Sequence, residues 1–154
     1  MLVSEVGGTI VTISSVLGKL GASHLSDYTA AKAGLIAMHN SLRAELASKE
    51  APDGAETIRT ILVSPGQLST SLFGGVESPS SFFGPVVEPV EIAKEIVRMI
   101  DAGESGEISM PLYARWIDWL NVLPVSLQRL ARRLSGMDRA MEGFSAAKRK
   151  AAKT

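Results

Sequence analysis

Apolar and polar positions fall in blocks whose period changes along the chain. GTIVTIS (Gly8–Ser14) is β-branched and mostly apolar, the pattern of a buried strand in a parallel sheet. Ser26-Asp27 then supplies helix-capping chemistry, and Leu35, Met38, Leu42 and Leu46 recur at helical spacing. TIRTILV (Thr57–Val63) predicts a second strand, stopped by Ser64-Pro65-Gly66. From Glu88 a helical period returns. Pro89 lies in its first turn, Ile92, Ile96 and Met99 share one face, and Gly103 ends it. GEISMP predicts a short third strand. Between the second strand and that helix, Ser69–Pro85 is too long and too rich in glycine and serine for a plain connection, and predicts a functional loop.

Strand, helix, strand, helix, strand implies parallel pairing through right-handed crossovers. In such sheets ligands bind at the carboxyl ends of the strands. Ser15 falls at the end of the first strand and Pro65-Gly66 at the end of the second. Tyr28 and Lys32, four residues apart, share one face of the helix between them. A phenol is a poor base at neutral pH, but an ammonium one helical turn away stabilises its phenolate. Tyr28 can then give or take a proton while Ser15 hydrogen-bonds the same substrate oxygen. Gly18 and Gly21 would let the loop between them fold closely over a ligand.

The C-terminal segment has a different pattern. Leu112, Trp116, Leu120 and Leu123 form one stripe. After Pro124, a second comprises Leu127, Leu130, Ala131 and Leu134, with Gln128, Arg129, Arg132 and Arg133 opposite. Tryptophans and leucines backed by arginines suit a helix lying in a membrane interface, and neither stripe is long enough to span a bilayer. The competing reading is a helix packed on its own domain or on a second copy in a homo-oligomer.

Composition narrows the classes. The 154 residues amount to one domain, and 45% apolar with 5% aromatic content suits an α/β domain. Cysteine is absent, which removes disulfides, thiolate catalysis and cysteine-ligated zinc. Two histidines, His24 and His39, argue against a multi-histidine metal site, so no metal is expected. His24 belongs to the loop before Tyr28, lining a pocket or lying on the surface. His39 and Ser14 read as structural, and Met38, Met99 and Met110 as core filler. No signal-peptide pattern opens the chain. Net charge is zero, but residues 1–112 carry 13 acids and 7 bases while residues 113–154 carry 3 acids and 9 bases. That split separates two parts with different surroundings. The basic end, SAAKRKAAKT, has no interleaved aromatics, so no nucleic-acid partner is expected.

Two quoted stretches carry a resemblance. ISSVLG…DYTAAKAG resembles the active-site segment of the short-chain dehydrogenase/reductase family, including its serine thirteen residues before the tyrosine. VSPGQLST resembles the same family's Pro-Gly motif. The resemblance covers roughly residues 5–112. It implies the C-terminal half of a Rossmann-type doubly wound α/β parallel sheet of about three strands in residues 1–112, followed by a basic amphipathic helical tail in residues 113–154. It further implies NAD or NADP as cofactor and Ser15, Tyr28 and Lys32 as catalytic residues, with Tyr28 and Lys32 also binding the cofactor. Pro65, Gly66, Leu68 and Thr70 would contact the nicotinamide. The family's glycine-rich turn, Asn-Ala-Gly segment and catalytic asparagine have no counterpart in this sequence, which begins near the family's fifth strand as if an N-terminal half had been removed. Family members acting on retinoids, steroids and other lipid alcohols often carry tails of this kind. The resemblance thus implies a small hydrophobic alcohol or ketone, and a place on the cytoplasmic side, peripheral to the endoplasmic reticulum or lipid droplets. The rival reading is a catalytically incomplete fragment serving only as an interaction or membrane-binding module.

Overall fold

The computed structural model describes residues 7–69 and 86–135. Three strands, β1 (Gly8–Ile13), β2 (Ile58–Val63) and β3 (Gly106–Ile108), form one parallel sheet in the order β1-β2-β3. Ile13 pairs with Val63, and Val63 with Ile108, so the carboxyl ends of all three strands lie level. Helix α1 (Ser26–Leu46) connects β1 to β2, and α2 (Pro89–Asp101) precedes β3. Two shorter helices follow, α3 (Ile117–Val122) and α4 (Val125–Ser135), separated at Pro124 as the sequence predicts.

Alternation along β2 divides its side chains between two faces. Ile61 and Val63 join Ile108 of β3 and Ile92 and Met99 of α2 in the main core. Thr60 and Leu62, buried on the opposite face, lie on the side of α1. There the His39 ring, 1% exposed, places Nδ1 2.9 Å from Thr12 Oγ1. A smaller cluster of Val16, Ala114 and Ile117 seats α3 against the loop after β1.

Several expectations are corrected. β1 is only partly buried here. Only Thr12 is buried in it and Ile13 is 54% exposed, because β2 is its sole partner among the described residues. Ser26 is the first residue of α1 instead of its cap; Leu25 holds the cap position and no side chain caps the helix. Met38 is exposed while His39 is buried. At 100° per residue, Leu35, His39, Leu42 and Leu46 form the inward stripe and Met38 falls on its rim. Met99 is core, and Met110 packs against it, as expected. Ser69 pairs with Val87, and the rest of the expected loop lies outside the described residues.

Candidate active site at the carboxyl edge of the sheet

Parallel pairing continues beyond the strand ends. Ser14 N donates to Val63 O at 2.7 Å and Val16 N to Pro65 O at 2.9 Å. Ser64 N donates to Ile108 O at 2.8 Å and Gly66 N to Met110 O at 2.7 Å. These bonds carry the ladder into the loops and bring Ser15, Pro65 and Gly66 to one edge. Ser15 is buried. Its hydroxyl accepts from Leu17 N at 3.2 Å and donates to Pro65 O at 3.4 Å. The second bond is long and therefore weak, and a substrate oxygen can replace it at low cost.

Helix α1 presents the other half of the site. Lys32 Nζ donates to Ile13 O at 3.0 Å and stands 5.7 Å from the centroid of the Tyr28 ring. The ammonium is thereby held at the end of β1 and beside the phenol at once. Ser14 contributes structurally, its hydroxyl donating to Lys32 O at 2.8 Å. Gly18 corrects the expectation made for it. A Cβ there would lie 2.8 Å from Lys32 C, so this glycine lets the loop press on the backbone of α1 instead of on a ligand. Gly21 lines a cleft beside the first turn of α1.

At the end of β2, a Cβ on Gly66 would lie 2.9 Å from both Pro111 Cδ and Tyr113 Oη. Leu68 bridges to Val87, and its side chain packs on the main core. Thr70 lies outside the described residues. His24 is exposed, with φ of 62°, in the turn before α1.

Sequence reasoning missed two features. Tyr113 brings a second phenol to the Pro-Gly turn, and burial pushes its pKa up. Lys19 ties three segments together, with Nζ 2.5 Å from Glu107 Oε1 and 2.8 Å from Asp118 Oδ2. Burial alone would lower the Lys19 pKa, but the hydrogen bonds that Nζ donates to Asp118 and Glu107 outweigh it and hold it above the usual lysine value. Burial would likewise raise Glu107, and the bond from Lys19 reverses that, holding the carboxyl below its usual range. No sequence signal marks partners 88 and 99 residues apart. No group of three or more metal-ligating side chains occurs among the described residues. None of their helices is long and apolar enough to cross a membrane.

Residues 1–80 match the sequence profile of the short chain dehydrogenase family. The chain is also 41% identical, over 84% of its length, to the uncharacterized oxidoreductase TDA5 of Saccharomyces cerevisiae. The chain belongs to the short-chain dehydrogenase family. Human retinol dehydrogenase 10 is 30% identical over 94% of the chain, and mouse epidermal retinol dehydrogenase 2 is 28% identical over 93%. This family member spans 38% of the yeast protein and 42% of the human one, about two fifths of its curated relatives. In fold it resembles the crystal structure of an angucycline C-6 ketoreductase, LanV, with bound NADP. The TM-score is 0.52 at 24% identity, over 68% of this chain and 42% of that one. The parallel sheet with a helix on each face is thus the Rossmann-type arrangement of that ketoreductase.

Proposed function

We propose that this chain carries the proton-transfer side of an NAD- or NADP-dependent oxidoreductase that interconverts a hydroxyl and a carbonyl on a small hydrophobic substrate. The observation carrying this reading is Lys32 Nζ fixed between Ile13 O and the Tyr28 ring, at the edge where Ser15 meets Pro65. The residues fit the nicotinamide end of a dinucleotide. Gly66 lets Pro111 and Tyr113 pack closely on the turn at the end of β2, and Lys32 and Tyr28 offer the polar groups a ribose needs. Lys32 and Tyr28 would hold the ribose, with Pro65, Gly66, Leu68 and Thr70 along the nicotinamide. When bound, that group supplies or takes up a hydride.

The chain's own residues handle the proton and the substrate oxygen. Tyr28 gives or takes the proton at its phenol oxygen, with the Lys32 ammonium held beside its ring. Ser15 exchanges its weak bond to Pro65 O for one to the substrate oxygen and holds it. Tyr28→Phe, made in a protein joining this segment to a dinucleotide-binding half, should lower kcat by roughly 10²-fold or more with an unchanged circular dichroism spectrum. Near-normal turnover would sink the mechanism.

Residues 112–134 support contact with a membrane surface. Trp116, Trp119, Val122, Val125, Leu127 and Leu130 are all exposed, which leaves them available to an interface. The side chains of Ala131 and Leu134 lie outside the description. The retinol dehydrogenases among the relatives favour a lipid alcohol, and a surface of this kind suits a peripheral place on the cytoplasmic side of the endoplasmic reticulum or lipid droplets. The same surface also suits a non-catalytic membrane or interaction module. Because Ala114 and Ile117 pack into the domain, point changes test this better than truncation. Trp119→Ser with Val122→Ser should reduce flotation with anionic vesicles. Equal flotation of both proteins would leave the surface as a packing face for a second copy.

A further inference from the structure

A cleft of about 640 Å³ separates the start of α1 from α4, and its lining is chemically one-sided. Arg129 and Arg133, one turn apart on α4, form one wall; Ser23, Ser26 and Thr29 stand on the other. No carboxylate is among the described residues lining it, and neither arginine makes an ion pair among them. The Thr29 hydroxyl is buried and has no hydrogen-bond partner among the described residues. Two guanidinium groups with no ion pair among the described residues, facing Ser23 and Ser26, bias the cleft toward an anion with several acceptor oxygens.

We propose that this cleft is a binding site for a phosphate monoester, filled at a membrane by a phosphomonoester lipid headgroup. The identity of the lipid source rests on the membrane reading above. Leu127 and Leu130, both exposed, lie on the stripe of α4 opposite the arginine row, and Val122, Leu123 and Val125 just before them are exposed as well. A helix lying with those leucines among acyl chains would hold Arg129 and Arg133 at headgroup depth, with the cleft open to a phosphate. The guanidinium fork makes the site selective for a phosphate with free oxygens over an equal charge spread on other groups.

The test uses the full chain and vesicles of phosphatidylcholine with either phosphatidic acid or phosphatidylserine, matched for surface charge. Flotation should favour phosphatidic acid. Arg129→Gln with Arg133→Gln should weaken binding to it by roughly tenfold and remove the preference. Arg129→Lys with Arg133→Lys should keep charge-driven binding and lose the preference, because lysine lacks the fork. Both arginines are exposed, so the variants should fold, and matching circular dichroism spectra check that they do. If the double Gln variant still prefers phosphatidic acid as the parent does, the cleft is overturned and the membrane reading stands. If the parent floats with no vesicle, the membrane reading falls and calorimetric titration with inorganic phosphate decides the cleft. Arginine-dependent binding then supports a site for a soluble phosphate, and no binding overturns it.

Discussion

Lys32 donates to the carbonyl oxygen of Ile13 at 3.0 Å, joining the second turn of a helix to the last residue of β1. The bond serves structure and chemistry together. Lys32→Met should remove both the tie and the charge beside Tyr28, lowering kcat by roughly 10²-fold in the joined protein. Stability should fall by only about 1 kcal/mol, the usual worth of one such hydrogen bond. Kinetics and urea denaturation of the same variant separate the two effects. Loss of stability matching the loss of activity would make Lys32 merely a fastener.

Gly18→Ala tests how closely the loop must approach α1. The added methyl would meet backbone atoms of Lys32 at 2.8 and 3.0 Å, and backbone yields less readily than a side chain. A cost of about 1–3 kcal/mol is expected, seen as a lower denaturation midpoint. Gly34→Ala, inside α1 and meeting nothing within 4 Å, should instead stabilise by about 0.5–1 kcal/mol and serves as the control of opposite sign.

Lys19→Met should loosen α3. The substitution leaves Glu107 and Asp118 without their shared cation and removes the charge that offset the burial of Glu107. The expected loss is roughly 1–3 kcal/mol. Trp116 and Trp119, which flank and lie in α3, should report the change by near-ultraviolet circular dichroism. An unchanged signal would mean that the packing of Ala114 and Ile117 alone seats the helix.

Acid should weaken the fold through His39. Burial, and then the charge of Arg43, hold its pKa below the usual 6.5. Below that pH the unfolded chain takes up a proton that the folded chain refuses, so the unfolded state binds more protons. This contribution is complete above 6.5 and is lost as pH falls through 6.5 toward the lower folded value. Urea midpoints between pH 7.5 and 5 should therefore fall, and His39→Gln should flatten that slope. Glu107 adds its own loss only further down, as pH drops through the carboxylate range.

The strands and helices were legible because their signals are local: β-branched runs, a helical period, and Pro or Gly where each element stops. The Ser15, Tyr28 and Lys32 set was legible for the same reason, since one strand end and one helix turn fix all three. Other features depend on tertiary pairing. Nothing local tells Met38 from Met99, and only packing decided that one is exposed and the other buried. How far β1 is buried depends on what stands beside it. The Lys19 ion pairs and Tyr113 at Gly66 join residues whose separation no periodicity records.

The main-chain bonds that continue past the ends of β1 and β2 have a consequence for motion. Amides of Ser14, Val16, Ser64 and Gly66 are donated into a ladder rather than to water. They should exchange with deuterium nearly as slowly as those within the strands, although sequence alone would assign them to loops. The reacting groups would then inherit the stiffness of the sheet. Freedom to adapt to differently shaped substrates would fall to the segments that this ladder does not clamp.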